Sequence, residues 1–215
     1  MGDGEPKYLN SPETKLFDKS RNLYGLNYAR TTREKYMLVC EGYLDVISMH
    51  QAGFTNAVAS LGTAFTSQHA GVLKRYTDQV ILTYDSDGAG IKAALRAIPI
   101  LRDAGISARV LNMKPYKDPD EFIKNMGADA FKERIAQAKN SFLFEIDVLK
   151  RNYQLEDPEQ KTKFYQETAK KLLQFGEPLE RDNYIQAVSR GADDQRRGAS
   201  PAGKPSGNAD GLKSR

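Results

Sequence analysis

Residues 79–90 constrain the fold more than any other stretch. Val80-Ile81-Leu82-Thr83-Tyr84 is an apolar and β-branched run, and it ends abruptly in Asp85-Ser86-Asp87-Gly88-Ala89-Gly90. Such a run between turn formers reads as a buried strand, and the Ala/Leu/Ile-rich segment after Gly90 reads as a helix. The two acids therefore stand at a strand's carboxyl end, where ligands bind in open α/β sheets. Residues two apart on an extended chain face the same side, so Asp85 and Asp87 can aim their oxygens at one spot. Without a cation they repel, and one takes up a proton. A hard divalent ion such as Mg²⁺ removes that conflict.

Two other readings fit the same residues. Asp-Ser-Asp-Gly is good turn and N-cap chemistry in its own right. Gly88-Ala89-Gly90-Ile91-Lys92-Ala93 also matches the dinucleotide fingerprint, although two carboxylates just ahead of the glycines would meet a pyrophosphate with like charge. An EF-hand loop fails, because Arg96 falls where the bidentate Glu belongs.

The strand-then-helix pattern recurs along the chain. Lys35–Cys40 reads as a strand that delivers Glu41, with a helix over 44–52 behind it; Asn56–Ser60 is a second strand, followed by a helix near 67–76. After the strand at 79–84 come a helix over 91–104 and a fourth strand over 107–111. Strands separated by helical crossovers predict a mainly parallel sheet flanked by helices, an α/β fold. The loop after Leu111 carries Asp118-Pro119-Asp120 and leads into a short helix over 120–126, and from 128 to 190 the apolar spacing is helical throughout. The implied divisions are an N-terminal segment over 1–36 that packs as a flap, an α/β domain over 37–127, a helical subdomain over 128–190, and a Gly/Pro/Ser-rich tail from 191 to 215 expected to be disordered.

Composition narrows the chemistry. The 215 residues include one cysteine, Cys40, which excludes an intrachain disulfide and any cysteine-based zinc site; after Met37-Leu38-Val39 it reads as a small buried hydrophobe. No membrane-length apolar run or signal peptide is present, so a reducing cytoplasm is the expected location. A net charge of +4 is compatible with a polyanionic partner without requiring one. His50 and His69 lie in helical stretches without a nearby nucleophile, and the sequence assigns them no role.

Three strand-end loops thus carry Glu41 with Asp45, Asp85 with Asp87, and Asp118 with Asp120. Three acidic clusters on one sheet edge predict a divalent metal site, and such sites usually serve phosphoryl or nucleotidyl transfer. Glu41-Gly42-Tyr43-Leu44-Asp45, Ala57-Val58-Ala59-Ser60-Leu61-Gly62-Thr63, Tyr84-Asp85-Ser86-Asp87-Gly88-Ala89-Gly90 and Asp118-Pro119-Asp120 together resemble the Toprim domain shared by bacterial primases, topoisomerases and some nucleases. Lys7-Tyr8-Leu9-Asn10-Ser11-Pro12-Glu13-Thr14 with Leu23-Tyr24-Gly25-Leu26 is similar to the bacterial replicative primases of the DnaG type.

That resemblance implies a DNA-templated RNA polymerase that makes RNA primers from ribonucleoside triphosphates on single-stranded DNA with Mg²⁺ or Mn²⁺. Glu41, Asp85 and Asp87 would be its core metal-handling acids, Asp45, Asp118 and Asp120 would complete the cluster, and Lys7, Asn10 and Lys19 would line the nucleotide and template side. It further implies that the zinc-binding domain, most of the first half of the polymerase domain and the helicase-binding region are missing, so that Met1 reads as a misplaced start. The rival expectations are a Toprim-type metal-dependent nuclease and a non-catalytic remnant that binds metal, nucleotide or single-stranded DNA.

Overall fold

The computed structural model describes Thr14 and residues 17–198. The chain divides between Asp147 and Val148 into two compact units. The first is built on a sheet of order β1-β3-β2-β4-β5-β6, from β1 (Leu23–Tyr24), β2 (Met37–Cys40), β3 (Ala57–Ser60), β4 (Gln79–Thr83), β5 (Ser107–Val110) and β6 (Lys139–Asn140). The four central strands are parallel, as their spacing predicts, and β1 and β6 close the edges antiparallel. Two-residue edge strands show no period of two, so the sequence alone yields four strands where the sheet has six.

Every residue of β2 and β3 is buried, as expected for parallel strands covered on both faces. Alternation divides their side chains between two cores. Val39, Val58, Val80 and Leu82 pack with Ala94, Ile98 and Leu101 of helix α4 (Gly88–Asp103) and with Leu73 of α3 (Ser67–Leu73). On the other face, Leu38, Cys40, Ala57 and Ile81 pack with Met49 of α2 (Tyr43–Gln51) and with Phe122 and Phe131 of α5 (Pro119–Ala136). Cys40 is the buried hydrophobe its context predicts, and desolvation pushes its thiol up to about 12.

Helix α4 begins at Gly88, three residues earlier than the apolar pattern indicates, because the Asp87 carboxylate caps it. Gly90 is required there: an added Cβ would lie 2.1 Å from the Asp85 carbonyl oxygen. The predicted short helix at 120–126 and the helical run behind it join as α5 across a break at Gly127, whose φ is 84°. A one-turn helix, α1 (Leu26–Ala29), follows β1.

Helix α6 (Ser141–Lys150) leads out of the first unit, and α7 (Pro158–Leu172) and α8 (Pro178–Gly198) form the second. Within it Phe164 and Phe175 are buried, and Phe175 stacks on Tyr184 at 4.0 Å. The compositional change at Gly191 does not end α8, since Ala192, Asp193, Asp194, Gln195, Arg196 and Arg197 continue its backbone to Gly198; residues 199–215 of the expected disordered tail lie outside the described residues. Among the described residues no helix is long and apolar enough to cross a membrane.

Gly90→Ala must displace backbone, so we expect it to cost about 3 kcal/mol and to lower Tm by roughly 6–12 °C. Thermal and urea melts check this; a wild-type Tm would mean that the turn is looser than the 2.1 Å approach implies.

Candidate metal centre

The parallel register sets Cys40 opposite Thr83, so β2 and β4 release their chains at the same level of the sheet. Glu41 follows one strand and Tyr84-Asp85 the other. The Asp85 N–H points to Glu41 Oε2 at 3.4 Å, at the outer limit of a hydrogen bond. The loop after β5 closes onto the same edge, where the Ser86 N–H donates to the Lys117 carbonyl oxygen at 2.8 Å. A cleft of about 600 Å³ opens there, lined by Glu41, Asp45, Asp85, Asp118 and Asp120 with Lys124.

The six predicted acids divide into two groups. Three are used locally. Asp87 Oδ1 accepts from Ala89 N and Gly90 N, each at 2.9 Å, and Asp118 Oδ1 accepts from Glu121 N at 2.8 Å, so both are helix caps. Asp120 accepts from Lys124 Nζ at 2.6 Å and Ser48 Oγ at 2.5 Å, and these two partners, Lys124 first, hold its carboxyl below the usual range.

The other three are under-compensated. Burial is the largest cause that raises Glu41, and Asp85 and Asp87 add repulsion. Burial likewise raises Asp85, against Lys117, with Asp118 and Asp87 repelling it. Asp45 goes up to about 6, mainly by burial; the Gly42 N–H, 3.2 Å from Asp45 Oδ2, opposes the shift, while Asp118, Asp85 and Glu41 reinforce it.

Sequence reasoning missed Lys117. Its Nζ lies 3.5 Å from Asp85 Oδ2, which places an ammonium beside the acid. A lysine adjoining Asp118-Pro119-Asp120 was the available signal. The acids share one electrostatic field, yet among the described residues no three His, Cys, Asp or Glu side chains stand close enough to chelate one ion as they are. The donor set itself suits a hard divalent cation: it is all oxygen, crowded with like charge and open to solvent. Lys19 is half-buried in the turn before β1, while Lys7 and Asn10 lie outside the described residues.

Comparison with known proteins places these features in a family. Residues 38–123 match the family profile described as Toprim-like, and residues 1–30 match the N-terminal domain of the DNA primase catalytic core. The DNA primase of Clostridium acetobutylicum is 42% identical over 190 residues, which cover 88% of this chain and 32% of that protein. The DNA primase of Listeria innocua is 37% identical over 191 residues, 87% of this chain and 30% of the relative. The chain thus spans about a third of the length of the curated relatives it matches. A DnaG primase catalytic domain solved bound to single-stranded DNA superposes with a TM-score of 0.74 at 34% identity, covering 88% of this chain and 63% of that one. The E. coli primase catalytic core gives 0.73 at 35%, covering 88% and 62%.

One expectation is overturned. Residues 142–190 match the profile described as the DnaB-helicase binding domain of primase, so the helicase-binding region is not missing from this chain. The apolar spacing of those helices reports only that they pack, and carries no mark of a partner.

Asp45 supplies a test of the electrostatics. Its proton affinity is higher folded than unfolded, so its contribution favours folding below the unfolded value near 4 and is lost as pH rises through about 6. Asp45→Asn keeps an acceptor for the Gly42 N–H and removes the charge. With chelator at pH 7.5 it should add about 1 kcal/mol, discounted for partial exposure, or 2–4 °C in Tm. The gain should vanish by about pH 4. A gain independent of pH in the melts would rule out the charge as its cause.

Proposed function

The chain belongs to the bacterial DNA primases of the DnaG type, and from that premise we propose that its strand-end acids carry the metal-dependent nucleotidyl transfer of a primase, joining ribonucleotides on a single-stranded DNA template. The observation that supports this most is the register that sets the ends of β2 and β4 side by side, so that Glu41 and Asp85, with Asp45 of α2, line one cleft in which burial and neighbouring acids raise all three carboxyls.

A Toprim domain implies a divalent metal. Glu41, Asp85 and Asp87 are the residues we assign to hold Mg²⁺ or Mn²⁺, with Asp45, Asp118 and Asp120 setting the surrounding negative field. When bound, the ion supplies charge neutralisation at the phosphates and lowers the pKa of the attacking 3′-hydroxyl. Glu41, raised in the metal-free edge by burial first and then by Asp85 and Asp87, is the group we assign to position or deprotonate that hydroxyl. Lys117 offsets part of the charge on Asp85. On the template side we assign Lys7, Asn10 and Lys19, as salt-sensitive contacts to nucleotide or DNA phosphates. The growing RNA primer is the product strand. We assign the helices of residues 142–190 to contact with a replicative helicase, on the profile they match, and place the enzyme in the cytoplasm.

Incubation of the chain with a primed template, labelled ribonucleotides and Mg²⁺ or Mn²⁺ tests the assignment. Extension supports it; degradation of the strand would favour a Toprim nuclease, and inertness a binding remnant. Glu41→Gln and Asp87→Asn should each abolish extension and weaken Mn²⁺ binding by calorimetry, by roughly tenfold or more. Asp87→Asn keeps an oxygen to cap Ala89 and Gly90, so it should fold normally. Equal Mn²⁺ affinity in wild type and both variants would show that these acids do not share an ion.

A further inference from the structure

His69 is fully buried, and both of its ring nitrogens are engaged. The Thr66 N–H donates to Nδ1 at 3.1 Å, and the His69 N–H donates to Thr66 Oγ1 at 3.1 Å, so the two residues form a reciprocal cap on α3 with histidine in the place usually held by Glu or Gln. Because Nδ1 accepts, the ring proton sits on Nε2. Nε2 donates it to the Lys19 carbonyl oxygen at 2.8 Å, and the Thr66 hydroxyl donates to the next carbonyl, that of Ser20, at 2.6 Å. The pair that starts the helix therefore grips two successive carbonyls of a segment about fifty residues away in sequence.

That segment is shaped from within as well. Asp18 Oδ1 accepts from Ser20 N at 2.9 Å and Ser20 Oγ at 2.6 Å, and Asn22 Nδ2 donates to the Asp18 carbonyl at 2.7 Å. Pairing of Leu23 with Ser60 feeds residues 18–22 in at the carboxyl end of β3, the edge of the sheet that also carries Glu41 and Asp85. A cavity of about 680 Å³ opens from this edge toward α4, lined by Glu41, Tyr84, Ser60 at the end of β3, Thr63 and Phe65 of the β3–α3 connection, and α4 residues that include Arg96.

We propose that His69, with Thr66, is a positioning residue that fixes the Lys19 backbone at the rim of the acidic edge, so that the lysine meets nucleic-acid phosphate from one direction. The proposal rests on the reading above in which Lys19 contacts DNA or nucleotide. Burial holds the imidazole below its ordinary pKa, against the carbonyls of Lys19 and Asn22 and the charge of Asp18, which keeps the ring neutral and the tautomer fixed.

The test compares wild type, Lys19→Ala, His69→Asn, His69→Gln and the double variant Lys19→Ala/His69→Asn in the full 215-residue chain. It reads hydrogen exchange over residues 17–24 and the binding of a labelled single-stranded oligodeoxynucleotide at low salt. Asn offers an acceptor near the Nδ1 position but does not reach Lys19; Gln reaches it with an N–H. His69→Asn should speed exchange at 19–23 and weaken binding as far as Lys19→Ala does, roughly tenfold. The double variant should bind no more weakly than Lys19→Ala, and His69→Gln should restore both readouts. Unchanged exchange or affinity in His69→Asn, or additive losses in the double variant, would overturn the clamp while Lys19→Ala still showed its loss. Wild-type affinity in Lys19→Ala, or no binding by the wild-type chain, would instead remove the lysine reading beneath it, and the proposal with it. If His69→Asn does not fold, Thr66→Ala tests the same grip through Ser20: weakened binding supports it and wild-type binding overturns it.

Discussion

The pairing of β2 with β4 is the constraint on which the rest depends. With Cys40 opposite Thr83, Glu41 and Asp85 emerge from adjacent strands of one sheet edge, close enough for the Asp85 N–H to point at the Glu41 carboxylate. A slip of one residue would turn Leu38 and Cys40 out of one core and Met37 and Val39 out of the other, so burial on both faces pins the register. The placement of the acids is thus enforced by apolar packing at a distance from them. Their mutual repulsion is tolerated because the strands beneath have no other way to pair.

Local capping chemistry then limits the cost. Asp45, Asp87 and Asp118 each accept a backbone N–H at the start of a helix, which compensates part of their charge and fixes where their oxygens lie. The turn reading and the metal reading of Asp-Ser-Asp-Gly are therefore not alternatives: one oxygen of Asp87 holds α4 while the carboxylate as a whole still raises Glu41. Lys117 and Lys124 neutralise two members of the cluster but leave Glu41 and Asp45 without an ion pair of their own among the described residues.

Much of this was legible in the sequence. Short apolar runs between turn formers announced the four central strands, and two of them, β2 and β4, ran straight into Glu41 and Tyr84-Asp85, since burial and turn formation impose local patterns. What was not legible depends on partners far away in the chain. The two-residue strands at Leu23 and Lys139 exist only because β3 and β5 offer open edges. Lys117 was not singled out, although it stands beside the acidic motif Asp118-Pro119-Asp120. His69 read as an idle histidine because its meaning lies in carbonyls near residue 19. The helices of 142–190 showed their period plainly, but a period tells which face is apolar and never what covers it.

The acidic edge is well defined in shape, yet among the described residues no three His, Cys, Asp or Glu side chains stand close enough to hold one ion as they are. Charges that repel settle apart, toward the helix N-termini and the lysines available to them. Approach of Glu41 and Asp85 to a shared cation would need only side-chain rotation, with the strands that carry them left in place. The backbone is fixed by the sheet, and the side chains of Glu41 and Asp85 each have rotatable bonds beyond Cα. The edge therefore combines a backbone fixed by the sheet with acidic side chains that can still rotate.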